Sequence, residues 1–137
     1  MSRAMPQETD RARLELIARV LLSAPPDVLG EVWFEERAHA GSAAEPDDIG
    51  MTAIFPAKIS RIRQERLVRE ALAEHIRTGR KVTRVEVAGD AAWEKDPELR
   101  YEFRMELRGQ RVYVKIVFDG DDTNEPVIIV KKVGRWN

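Results

Sequence analysis

No cysteine occurs among the 137 residues. That excludes disulfides, thiolate nucleophiles and cysteine-held metals, and it suits a reducing compartment. Histidine is nearly as scarce: His39 and His75 are the only two, too few for a histidine-built metal site, and neither metal nor cofactor is expected. Long apolar runs are missing too. The best stretch, Leu14 to Ala24, is broken by Glu15, Arg19 and Ser23 and followed by Pro25 and Pro26, well short of the roughly 20 apolar residues that cross a bilayer. The opening MSRAMPQETD has no apolar signal-peptide core. A cytoplasmic protein without membrane association is the expectation. The absence of GxGxxG, of a P-loop, of HExxH and of GxSxG removes the nucleotide, zinc-protease and serine-hydrolase templates.

Lysine is absent from residues 1–56, which carry five arginines against ten carboxylates; residues 57–137 carry 18 Lys and Arg against 14 Asp and Glu. An acidic half therefore precedes a mildly basic one beneath a net charge of -1. Such a balance permits nucleic-acid binding without requiring it. The length suits one domain with a real core.

The most informative stretch is Tyr101 to Phe118, YEFRMELRGQRVYVKIVF. Tyr101, Phe103, Met105 and Leu107 alternate with charged residues, and so do Val112, Val114, Ile116 and Phe118 with Arg111, Tyr113, Lys115 and Val117. This is the period of two half-buried strands. A two-residue turn at Gly109-Gln110 predicts that Leu107 faces Val112 and Tyr101 faces Phe118. On the other face that register sets Arg108 opposite Arg111 and Arg104 opposite Lys115, like-charge pairs that cost stability. Two explanations stand side by side. Either Glu102 and Glu106 neutralise an ordinary solvated face, or the face binds a polyanion through guanidinium forks.

Glu8 to Leu22 reads as an amphipathic helix, and Pro25 or Pro26 as the start of a second one through Ala38, giving a helical hairpin over residues 1–38. Asp27, Glu31, Glu35 and Glu36 give that hairpin an acidic surface. His39 to Gly50 is read as a linker, with His39 a solvated helix-end residue. Met51 to Phe55 reads as a short strand or lead-in closed by Pro56, and Ala57 to Thr78 as a helix, with a bend near Arg66 or a division into two. Its cluster Arg61, Arg63, Arg66 and Arg69 reads as a solvated face paired with Glu65, Glu70 and Glu74. His75, beside the packing stripe, reads as a tucked structural histidine. Lys81 to Val87 is a predicted strand, Gly89 to Leu99 a loop with Trp93 as an apolar plug, Gly120 to Glu125 an acidic turn, and Val127 to Val133 a final strand in the middle of the sheet. The resulting expectation is a single α+β domain over residues 1–137, its helices packed on a mostly antiparallel four-stranded sheet.

From Met51 onward, Tyr101-Glu102-Phe103-Arg104, Gly109-Gln110-Arg111-Val112-Tyr113 and Val130-Lys131-Lys132-Val133-Gly134-Arg135 resemble the sheet of the RelE/ParE toxin superfamily. The resemblance covers residues 51–137. It implies a metal-independent endoribonuclease of a toxin-antitoxin system that cuts mRNA on the ribosome, the 2′-hydroxyl attacking the adjacent phosphate. By the same resemblance Arg104, Arg111 and Arg135 hold the scissile phosphate and stabilise its charge; the hairpin register adds Arg108 and Lys115 to the nucleic-acid contact, and Tyr113 is added as a catalytic residue for proton transfer. Arginine is a poor base, so proton transfer falls to Tyr113, Glu102 or His75. The partners implied are RNA or the ribosome and an antitoxin-like protein. The alternative is a non-enzymatic protein-interaction module, such as an inactive or ParE-like relative, that uses the sheet face or the acidic helices. The oligomeric state is not legible in the sequence.

Overall fold

In the computed structural model, which describes residues 7–85, 99–119 and 125–136, the chain runs through α1 (Arg11–Leu22), β1 (Glu31–Phe34), α2 (Glu36–Ala40), a single 3-10 turn (Met51–Ala53), α3 (Arg61–Arg77), β2 (Thr83–Val85), β3 (Leu99–Leu107), β4 (Gln110–Asp119) and β5 (Val127–Arg135). The strands form one mixed sheet in the order β1-β5-β4-β3-β2. β1 runs parallel to β5 and the other neighbours are antiparallel. The α+β class is as expected, but among the described residues the sheet has five strands where four were predicted. The predicted final strand is longer than Val127 to Val133 and does lie inside the sheet, between β1 and β4.

Alternation along β3 and β4 sends Tyr101, Phe103, Met105, Leu107, Val112, Val114, Ile116 and Phe118 into one core with α1 and α3. Both helices begin at side-chain caps. The Asp10 carboxylate accepts from the Arg13 N–H at 3.1 Å, and the Ser60 hydroxyl accepts from the Arg63 N–H at 3.2 Å, each satisfying an N–H that has no partner within its helix. Ser60 sets the start of α3 four residues after the predicted Ala57, and the helix runs unbroken to Arg77. Arg69, read as part of a solvated face, instead donates to the Leu21 and Ser23 carbonyls at 2.7 and 2.8 Å. It satisfies carbonyls that the end of α1 leaves open. Arg77 bonds Glu15 at 3.1 Å near the far end of the pair, so α1 and α3 lie antiparallel.

The predicted N-terminal helical hairpin is not formed. Only its first arm is helical; Glu31–Phe34 is an edge strand, followed by the five residues of α2. The stripe Val28 or Leu29, Val32, Trp33 fits helical spacing, but Val32 and Phe34 also fit a strand. Gly30, a weak helix residue, and the β-branched and aromatic run EVWF decide for the strand. Its Val32 and Phe34 pack on the core while Glu31 and Trp33 face out. The acidic residues disperse, Glu35 to Lys131 at 2.6 Å and Glu36 to Arg61 at 2.6 Å.

The stretch read as a linker lies against β5. Gly50 N–H donates to the Val133 carbonyl at 2.9 Å and Arg135 N–H to the Asp47 carbonyl at 2.6 Å, covering the part of the β5 edge that the short β1 leaves open. His39 is buried, not solvated. Its Nε2 lies 2.8 Å from the Glu65 carboxylate, and its ring stands 5.8 Å from that of Phe34. Met51 to Ala53 is the 3-10 turn, not a strand. Trp93 and most of the predicted acidic turn at 120–125 fall outside the described residues, as does the end of the strand predicted to reach Val87.

Candidate nucleic-acid interface

The hairpin register decides which side chains meet on the sheet face opposite α1 and α3. Arg108 and Gly109 have φ of 52° and 78°, positive at both central positions as a type I′ turn requires. The turn is therefore Arg108-Gly109, one residue earlier than expected. Leu107 pairs with Gln110, Met105 with Val112, Tyr101 with Ile116 and Leu99 with Phe118. Moving the turn by one residue displaces each partner by two, so the buried face is unchanged and the expected like-charge pairs disappear. Glu106 lies opposite Arg111, Glu102 opposite Lys115, and Arg104 opposite Tyr113. Repulsion between arginines is thus no reason to expect a polyanion here.

What the face does present is cations set against aromatic rings. Trp136 follows β5, and its N–H donates to the Arg111 carbonyl at 3.0 Å. The guanidinium carbons of Arg104 and Arg111 each stand 5.7 Å from its ring centre, within cation–π range. Next to them, Tyr113 has the Lys115 and Lys132 ammonium groups 5.5 and 5.6 Å from its ring centre. Tyr113 lies over Gly134, where a Cβ would come within 2.0 Å of the phenol ring. Glycine at this position is what makes room for the ring over β5.

Carboxylates temper the charge. Glu102, buried, accepts from Arg104 Nε at 3.0 Å. Glu45 accepts from Lys132 at 2.6 Å, and the Lys132 and Arg37 bonds hold its pKa below the usual carboxylate value. Partial burial works against the Lys132 ammonium, but its bonds to Glu45 and Tyr113 outweigh this and raise its pKa.

Of the residues nominated from the sequence, Arg104, Arg111, Tyr113 and Lys115 share this face. Arg135 and Arg108 do not. Arg135 is opposite Val112, a core residue, and leaves the end of β5 on the other side, sharing with Arg111, Gln110 and Trp136 a cleft at the sheet's end. Arg108, in the turn, carries its guanidinium 5.6 Å from the Phe55 ring centre. Trp136 and Lys132 were missed. Counting alternation back from Trp136 through Gly134 to Lys132 places all three on one face, so the signal was present in the sequence.

No family model, curated protein or solved structure matches this chain.

His75 is tucked, as expected: 6% exposed, Nε2 2.8 Å from the Lys81 carbonyl, its ring edge-on to Phe103 at 5.4 Å. Burial lowers its pKa, against the contrary pull of the Lys81 carbonyl. The imidazole also lines a cavity of about 410 Å³ with Arg80, Lys81, Thr83, Glu102, Arg104 and Trp136. Among the described residues no group of three or more histidine, aspartate and glutamate side chains is placed to hold a metal ion, and no helix is long and apolar enough to cross a membrane.

Proposed function

We propose that this chain is a toxin-like RNA-binding protein that takes a single strand across the exposed face of β3, β4 and β5. The observation that carries the reading is the placement of Arg104 and Arg111 against the Trp136 ring, beside Tyr113 with its two lysines. Unstacked bases lie on aromatic and guanidinium planes while neighbouring cations take phosphates. Because Glu102, Glu106 and Glu45 offset much of the positive charge, stacking supplies more of the affinity here than net charge does.

The RelE/ParE resemblance extends this reading to cleavage. A phosphate between Arg104 and Arg111 would have its developing negative charge met by two guanidiniums. In the reaction the 2′-oxygen bonds to phosphorus, its proton leaves to a base, and the 5′-oxygen departs with a proton, giving a 2′,3′-cyclic phosphate and a 5′-hydroxyl. Tyr113, opposite Arg104 on the neighbouring strand, is the proton-carrying group at that point. Incubation of the purified chain with single-stranded RNA, with product ends analysed, tests this. Cleavage to those ends that is lost in Arg111→Ala supports the nuclease; intact RNA with measurable binding restricts the reading to an RNA-binding relative.

The second reading, a protein-interaction module, is favoured by Trp33. It is 59% exposed on edge strand β1, in a segment where Val28 and Leu29 are also exposed. Partner capture that is lost in Trp33→Ala, with no RNA binding, would favour it.

A further inference from the structure

The cavity beside Trp136 has walls of two chemical kinds. Its inner residues are His75, Thr83 and Glu102, at 6%, 9% and 8% exposure. Its outer residues are Arg80, Lys81 and Arg104, all exposed. Of the inner groups, the Thr83 hydroxyl can donate or accept, and the Glu102 carboxylate accepts. Glu102 is a carboxylate with one oxygen bonded to Arg104, and two carboxylate oxygens offer about four acceptor sites. The Lys81 carbonyl that meets His75 Nε2 can only accept, so Nε2 carries the ring hydrogen. The neutral imidazole then has an unprotonated Nδ1, and that nitrogen is buried with no hydrogen-bond partner. With no accessible surface of its own, Nδ1 offers a ligand nothing, and the acceptors open to the cavity are those of Glu102.

We propose that this cavity is a guanine pocket, in which Glu102 accepts from the Watson–Crick donors of the base, His75 and Trp136 wall its ring, and Arg80 and Lys81 take the adjoining phosphate. Guanine alone of the four bases has two adjacent donors, N1–H and the N2 amino group, to match the two oxygens of a carboxylate. Adenine sets one amino donor beside the acceptor N1, cytosine one beside the acceptor N3, and uracil has a single N–H between two carbonyls. Each of these would face Glu102 with a lone pair. The volume of about 410 Å³ falls in the range of small-molecule sites, roughly 300–1,000 Å³. The pocket opens beside Arg104 and Trp136, so this inference rests on the reading of the sheet face as an RNA surface and adds a base preference to it.

Calorimetric titration with guanosine and adenosine 5′-monophosphates, and with hexauridylate carrying or lacking one central guanosine, tests it. The wild-type chain is expected to favour the guanine member of each pair by about tenfold, as a bidentate contact gives. Glu102→Gln is expected to move the preference toward adenine, because a carboxamide offers one acceptor and one donor to adenine's matching edge. A misfolded variant loses both ligands and cannot invert a preference. Arg80→Ala, at an exposed position, is expected to weaken guanosine monophosphate several-fold without weakening guanosine. Equal binding of guanine and adenine by the wild type, or a guanine preference that persists in Glu102→Gln, overturns the pocket. RNA binding without base preference leaves the sheet-face reading standing and the pocket refuted. A guanine-selective response to the mononucleotides without RNA binding leaves the pocket standing and the strand reading refuted.

Discussion

Tyr113 lies across Gly134, so close that a methyl group on that glycine would sit 2.0 Å from the phenol ring. The contact fixes a ring that has the Lys115 and Lys132 ammonium groups 5.5 and 5.6 Å from its centre. Gly134→Ala must lift Tyr113 from the sheet or bend β5. The expected cost is about 1–3 kcal/mol of unfolding free energy, as for other overpacked sites. Chemical denaturation measures it, and RNA affinity should fall in the same variant because Tyr113 is displaced.

The position of the hairpin turn gives an independent stability test. Arg108 holds φ of 52°, a left-handed conformation that costs most side chains about 1 kcal/mol and that asparagine tolerates. Arg108→Asn makes the turn Asn-Gly. It is expected to raise stability by about 0.5–1 kcal/mol in thermal or denaturant unfolding. A turn at Gly109-Gln110 would predict no gain.

His75 gives the pH dependence a defined sign. Burial lowers its pKa in the folded chain below the ordinary 6.5, so the unfolded chain binds the proton more readily. Its contribution is fully present above that ordinary value and is lost as pH falls through 6.5 toward the lower folded value. His75→Gln, which keeps a donor for the Lys81 carbonyl, should flatten the fall in stability over this acid window relative to wild type. Denaturation midpoints at a series of pH values measure the difference, and identical slopes in the two proteins would contradict it.

Glu8 ties the N-terminal segment to the sheet. Buried, it accepts from the Tyr101 hydroxyl at 3.1 Å and from Arg13 at 3.0 Å, and burial together with this carboxylate pushes the Tyr101 pKa up. Glu8→Ala strands a buried hydroxyl and should cost about 2 kcal/mol in denaturant unfolding.

The alternating strands were legible because period-two patterning in Tyr101 to Phe118 has no helical reading, and α1 and α3 because their apolar stripes are long. Glu31–Phe34 was not. Four residues satisfy either period, and what makes them a strand is a partner, Val127–Val130, almost a hundred residues away. The hairpin faces were legible while its register was not, since a shift of two residues preserves every face and only the backbone at Arg108 separates the alternatives. The same shift removed the like-charge pairs that first drew attention to the cationic residues. Trp136, by contrast, could have been placed by counting alternate positions along β5. The capping bonds of Arg69 and the burial of His39 depend on contacts between distant segments that no local pattern encodes.

The salt dependence of single-stranded RNA binding tests the sheet-face account most directly. Fluorescence anisotropy with a labelled RNA, titrated from low to moderate salt, should give a shallow slope of log affinity against log salt, about -1 to -3, as for a few phosphate contacts. Arg111→Ala should flatten that slope by about 0.7, more than Arg135→Ala does, and Trp136→Ala should weaken binding by about 1–3 kcal/mol with little change in slope. No binding at low salt, or equal affinity and slope in wild type, Arg111→Ala and Trp136→Ala, would contradict it.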